Sequence, residues 1–160
     1  MHVRRFLLSA VVSVGILAAS HSSAFAQVGL PGAGTPLFAV LNGGHEVSPA
    51  GAARAGDLDA FGSATVTFSN ITVANVTLCY AILVSNITPA TFAHIHRGTS
   101  GVNGAVVVNF VAPVGSPGRI AGCVNITPAL YLELRAFPAQ FYVNVHNAAF
   151  PVGAVRGQLF

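Results

Sequence analysis

Residues 73–84 read VANVTLCYAILV and contain the clearest alternation in the chain. Successive side chains of a β-strand point to opposite faces, so every second residue belongs to the same face. One face carries Val76, Leu78, Tyr80, Ile82 and Val84. The other carries Asn75, Thr77, Cys79, Ala81 and Leu83. The pattern predicts a long strand with one face in a hydrophobic core.

Similar short segments lie on both sides of this strand. We predict further strands at 37–41, 60–68, 92–96, 106–111, 120–126, 141–146 and 154–160, separated by Gly-, Pro- and Asn-rich turns. One short helix is predicted near 128–137, because Thr127 can cap it and Pro128 suits its first position. Its apolar stripe would comprise Leu130, Leu134 and Phe137. Seven or eight short strands predict an all-β fold, a Greek-key sandwich or barrel, rather than an α/β fold.

The first 26 residues have the three parts of a secretory signal peptide. A basic start is followed by an apolar run at 6–19 and by an A-x-A cleavage site at 24–26. We therefore expect a secreted or periplasmic protein, with a flexible leader at 27–36 and one domain at 37–160. After cleavage no transmembrane segment is expected, because no later run of eighteen apolar residues lacks Asn, Thr, Gly or Pro.

The charge of the expected mature chain is close to zero. Removing residues 1–26 from the 160-residue chain leaves 134 residues, enough for one domain with a core. Five arginines and no lysine then face four acidic residues. Such a domain has no basic stripe for nucleic-acid phosphates, so no nucleic-acid partner is expected. A composition that is 53% hydrophobic instead suggests exposed apolar patches that bind an extracellular or cell-envelope partner. A surface tether or a matrix component is the function that such patches suggest.

Cys79 and Cys123 are the two cysteines of the chain, and both lie in predicted strands. Oxidation is permitted in an exported protein, so we predict one disulfide between them. It would contribute about 4 kcal/mol according to the chain-entropy model. Two buried free thiols are the alternative, and the C-x-x-C spacing of a metal site is absent.

Three of the four histidines that follow residue 26 lie in two predicted strands. The period of two places His94 and His96 on one face, and a neighbouring strand can bring His146 beside them. Three neutral imidazoles suit one Cu or Zn ion with an open position for water, and copper is favoured by its intrinsic affinity. Glu46, Asn144 and backbone carbonyls are candidate acceptors for the other ring N–H groups. A structural hydrogen-bond network without metal, or a pH-sensitive recognition site, is the alternative.

Three motifs occur in order along the chain. They are LNGGHEVSP at 41–49, AHIHRG at 93–98 followed by G-x-N-G at 101–104, and YVNVH at 142–146 followed by P-x-G-x-V-R-G-Q at 151–158. Together they resemble the CHRD domain, named after chordin and common in exported bacterial proteins, over about residues 37–160. His45, Ser48 and Asn147 depart from the family pattern, so His45 gains no support as a ligand. The resemblance implies an all-β extracellular domain that acts as a binding or structural module, without the growth-factor-binding modules of chordin.

A weaker similarity is to copper/zinc superoxide dismutases, which also carry an H-x-H strand and a later His on a disulfide-linked Greek-key barrel. The bridging histidine, the His-rich zinc loop and the lysine-rich loop of those enzymes are not found in this sequence. The similarity implies an alternative function, a copper-only redox enzyme with His94, His96 and His146 as ligands and Arg156 as an anion guide. An arginine on a terminal strand otherwise pairs with a carboxylate or carbonyl, and Glu46 is the candidate. The sequence leaves open whether the protein is an enzyme, and it contains no nucleophile motif or convincing catalytic carboxylate pair.

Overall fold

The computed structural model describes residues 32–87 and 89–160. The predicted signal peptide and the first five residues of the predicted leader lie outside these residues. The described part contains eight strands and one α-helix. They are β1 (Leu37–Asn42), β2 (Phe61–Ser69), β3 (Val76–Ser85), β4 (Ala90–Arg97), β5 (Val106–Phe110), β6 (Gly118–Ile126), α1 (Pro128–Ala136), β7 (Phe141–Asn147) and β8 (Val155–Gln158), with short 3-10 turns at Gly43–His45 and Pro138–Gln140.

All paired strands are antiparallel and form one sheet. Its order is β5-β4-β7-β8-β1-β2-β3-β6, so only β5 and β6 have a free edge within the described residues. These two edges approach each other without pairing, and the sheet is therefore a nearly closed barrel. In this barrel β3 lies beside β6 and β4 lies beside β7, although these strands are not consecutive in the chain. Such non-consecutive neighbours among antiparallel strands form the Greek-key arrangement. The predicted all-β Greek-key fold is confirmed.

The inner face of β3 forms part of the hydrophobic core of the barrel. Every residue predicted for the inner face is buried, and Ala81 and Leu83 on the other face are exposed. Tyr80 reaches across the barrel, where its ring stacks on Phe110 at 3.9 Å and its Oη accepts a hydrogen bond from the Val111 N–H at 3.1 Å. This contact links β3 to the β5 side, where the sheet itself does not close.

The helix begins as predicted, but its buried face differs. Thr127 Oγ1 accepts a hydrogen bond from the Leu130 N–H at 3.2 Å, which confirms the cap. The predicted apolar stripe is wrong in part, because Tyr131 is buried with Leu134 while Phe137 is 58% exposed. The reason is that α1 ends at Ala136, and Phe137 has a non-helical φ of −138°. Its side chain therefore does not continue the helical stripe.

One disulfide joins two strands of the barrel, and two hydrogen bonds join the residues before β1 to the helix. Cys79 and Cys123 lie opposite each other on β3 and β6 and form the predicted disulfide. The carbonyls of Gly32 and Thr35, at the end of the predicted leader, accept hydrogen bonds from Tyr131 and Arg135 of α1.

Within the described ranges no helix is both long enough and apolar enough to span a membrane.

Candidate metal centre

The three histidines lie on the outer face of β4 and β7, which are neighbours in the sheet. The register places Phe92 opposite His146, His94 opposite Asn144, and His96 opposite Tyr142. Alternate residues of neighbouring strands share a face, so all these side chains leave the barrel on the same side. The structure thus brings together the H-x-H pair and the later histidine.

The three imidazole rings form one cluster. Ring centroids are 5.5 Å apart for His94 and His96, 5.1 Å for His94 and His146, and 6.4 Å for His96 and His146. One nitrogen of each ring lies within 4.8 Å of one nitrogen of the other two. A single ion can therefore be reached by all three side chains after a small adjustment.

Backbone carbonyls determine which ring nitrogens are free. His96 Nδ1 lies 2.8 Å from the Gly104 carbonyl and His146 Nδ1 lies 3.1 Å from the Pro151 carbonyl. Because a carbonyl only accepts, each Nδ1 carries the proton, and each neutral ring presents Nε2 as an unprotonated nitrogen. These two Nε2 atoms and His94 Nδ1 are buried without a hydrogen-bond partner in the part of the chain described. Buried polar atoms without partners are uncommon in folded proteins, so the cluster fits an electrophilic ligand such as a metal ion.

The electrostatic environment keeps the rings neutral. Burial, followed by the charges of His146 and His96, lowers the pKa of His94 to about 4. Burial is also the main cause that lowers the pKa of His96 and of His146, and it outweighs the hydrogen bonds to the two carbonyls. Neutral imidazole is the form that binds metals, so the cluster is ready for an ion at neutral pH.

Aromatic rings surround the cluster. Tyr142 stacks on His96 at 4.8 Å, and its Oη accepts a hydrogen bond from the Gly104 N–H at 3.2 Å. Phe92 is 60% exposed and lies 6.0 Å from the ring of half-buried His94, at the solvent side of the cluster. Our sequence reasoning did not select these two residues, although the period of two along β4 and β7 places them on the histidine face.

The buried polar residues next to the cluster form a separate network. Arg156 is only 2% exposed, donates from Nη1 to Asn103 Oδ1 at 3.0 Å, and lies 4.3 Å from the Tyr142 ring centroid. Glu46 is equally buried, and its Oε2 accepts a hydrogen bond from Asn144 Nδ2 at 3.4 Å. Glu46 and Asn144 therefore contact each other, whereas the acceptors for His96 and His146 are the backbone carbonyls.

The titration of Glu46 should make stability pH-dependent. Burial raises its pKa from 4.5 to about 7, and the charge of Arg156 offsets only part of this effect. A carboxyl whose pKa is raised by folding stabilises the fold at low pH and loses that contribution as the pH rises. Between pH 4.5 and 7 we expect the free energy of unfolding of the wild type to fall relative to Glu46→Gln. At about 1.4 kcal/mol per pKa unit the relative fall is at most about 3 kcal/mol.

Urea unfolding of both proteins, below and above this pH window, measures the difference. The two proteins share every titratable group except Glu46, so subtracting the two curves isolates Glu46. Parallel pH curves for the wild type and Glu46→Gln would contradict the expectation.

The fold and the site together define an all-β barrel that carries a three-histidine cluster on its outer face. The family model of the CHRD domain matches residues 37–159. The chain therefore belongs to the CHRD domain family, which confirms the resemblance seen in its motifs. No curated protein and no solved structure matches the chain.

Proposed function

We propose that the protein is an exported binding module that holds one copper ion through His94, His96 and His146. The observation that carries the proposal is the set of three buried, unpartnered ring nitrogens in one cluster. Nothing else in the described part of the chain offers these nitrogens a hydrogen bond. A metal ion gives all three a partner at once.

The donor set determines which ions fit. Three neutral nitrogens suit copper and zinc, and the intrinsic order of affinities places copper above zinc. With metal–nitrogen bonds of about 2.0 Å, tetrahedral ligand atoms lie about 3.3 Å apart, so binding requires the rings to approach slightly. When bound, copper supplies Lewis acidity and one-electron redox chemistry. The carbonyls of Gly104 and Pro151 hold two of the rings in the required tautomer.

Two observations support export. The chain begins with the features of a signal peptide, and the described domain contains the Cys79–Cys123 disulfide. Structural disulfides persist mainly in oxidising compartments such as the periplasm and the cell exterior. We therefore place the module in one of these compartments, where its partner is an extracellular or envelope component.

A metal titration of the purified chain tests this proposal. Metal-free protein is titrated separately with Cu(II), with Cu(I) under anaerobic conditions, and with Zn(II), and bound metal is counted by elemental mass spectrometry. We expect one equivalent of copper per chain, bound more tightly than zinc. Absence of stoichiometric binding of any of these ions would overturn the proposal.

A copper redox enzyme is the second candidate. Its support is that His94 is only half-buried, so an ion at the cluster would be accessible from solvent. The charge of Arg156 acts on His96, and the same charge would attract an anionic substrate such as superoxide. A superoxide assay on copper-loaded protein decides between the two functions, because an inert copper complex leaves only the binding module.

A further inference from the structure

A cavity of about 240 Å³ lies next to the histidine cluster but is not part of it. Arg156 and Gln158 of β8 form one side, and Val40 of β1 and Phe160 form an apolar side. His45 and Ser100, both exposed, complete the lining at the two neighbouring loops. None of the three clustered histidines lines it.

Arg156 contributes an incompletely paired charge to this cavity. Its hydrogen bond to Asn103 uses Nη1, and no other guanidinium N–H has a hydrogen-bond partner among the described residues. In the same part of the chain no carboxylate oxygen lies within 4 Å of it. The charge of Arg156 acts on Glu46, but burial raises the pKa of Glu46 to about 7, so this acid is only partly ionised at neutral pH. A buried charge without a counter-charge is costly, so an anion in the cavity would stabilise Arg156.

The other lining groups determine the kind of anion. Gln158 Nε2 already donates to the carbonyls of Gly98, Ala139 and Phe141, so its amide N–H groups are not free for a ligand. Val40 and Phe160 are 62% and 64% exposed, and they give the cavity an apolar wall that an inorganic ion would not use. The cavity has the volume of about eight water molecules at about 30 Å³ each. These properties suit an anionic head with a short apolar tail.

We propose that this cavity binds a small organic carboxylate, with its carboxylate on Arg156 and its tail against Val40 and Phe160. A guanidinium can hold a carboxylate through two parallel N–H···O hydrogen bonds, and Arg156 has the free donors. The cavity is distinct from the histidine cluster, since its lining residues do not include the clustered histidines, although the charge of Arg156 also acts on His96.

Calorimetric titration of the metal-free full chain tests the proposal with acetate, butyrate, hexanoate and inorganic phosphate as probes. We expect saturable binding that tightens from acetate to hexanoate by up to about fourfold for each buried methylene. Phosphate, which has no tail, should bind more weakly than hexanoate. Absence of saturable carboxylate binding, or phosphate that binds as tightly as hexanoate, would overturn the proposal.

A pair of matched variants locates the site. Arg156→Gln removes the cation but also disturbs a buried network, so the decisive variant is Val40→Glu, which adds a negative charge at an exposed lining position. Its control is Val73→Glu, because Val73 is 83% exposed and does not line the cavity. We expect Val40→Glu to weaken hexanoate binding at least tenfold and Val73→Glu to leave it unchanged. Equal affinities of the two variants would overturn the assignment.

Discussion

Replacing His94 by alanine should lower the copper affinity of the protein by more than a hundredfold while leaving the fold intact. Changing a residue that only orients a metal ligand typically costs ten- to a hundredfold in affinity, and loss of a ligand itself should cost more. His94 is the most informative position because its Nδ1 has no hydrogen-bond partner in the described structure, so the substitution breaks no hydrogen bond there. Competition with a chromophoric copper chelator measures the affinity, and circular dichroism monitors the fold.

The matched control is His45→Ala. His45 is an exposed residue at the end of the 3-10 turn at Gly43–His45 and is not a member of the cluster, so its removal should leave copper binding unchanged. His96→Ala and His146→Ala should lose affinity as His94→Ala does, although each also loses a hydrogen bond to a loop carbonyl. Wild-type copper affinity in His94→Ala, or an equal loss in His45→Ala, would exclude the cluster as the binding site.

The strands could be predicted because their signal is local. In β3 the period of two and the sizes of the side chains identify the buried face without knowledge of any neighbour. The same period placed His94 and His96 on one face. The pairing of β4 with β7 is not local. It was suggested in advance by the chemical compatibility of the three histidines and by the similarity to proteins with an H-x-H strand and a later His.

The surroundings of the cluster could not be predicted in the same way. The acceptors for His96 and His146 are the carbonyls of Gly104 and Pro151, and a backbone carbonyl occurs at every residue. Their positions depend on loop conformation: Gly104 has no room for a Cβ atom, which would overlap the Arg97 carbonyl. The nearly complete burial of Arg156, which contacts Asn103 in a loop and Tyr142 on β7, is likewise not indicated by any pattern along the chain.

Removing the disulfide with the double variant Cys79→Ser/Cys123→Ser should lower the free energy of unfolding by about 4 kcal/mol in the chain-entropy model. The two residues are separated by 44 positions, so the cross-link restricts a long loop in the unfolded chain. It also ties β6, an edge strand of the described sheet, to β3, its one paired neighbour. Urea unfolding without added metal measures the loss. Reductant should destabilise the wild type to the level of the variant and leave the variant unchanged; a loss below about 1 kcal/mol would contradict the model.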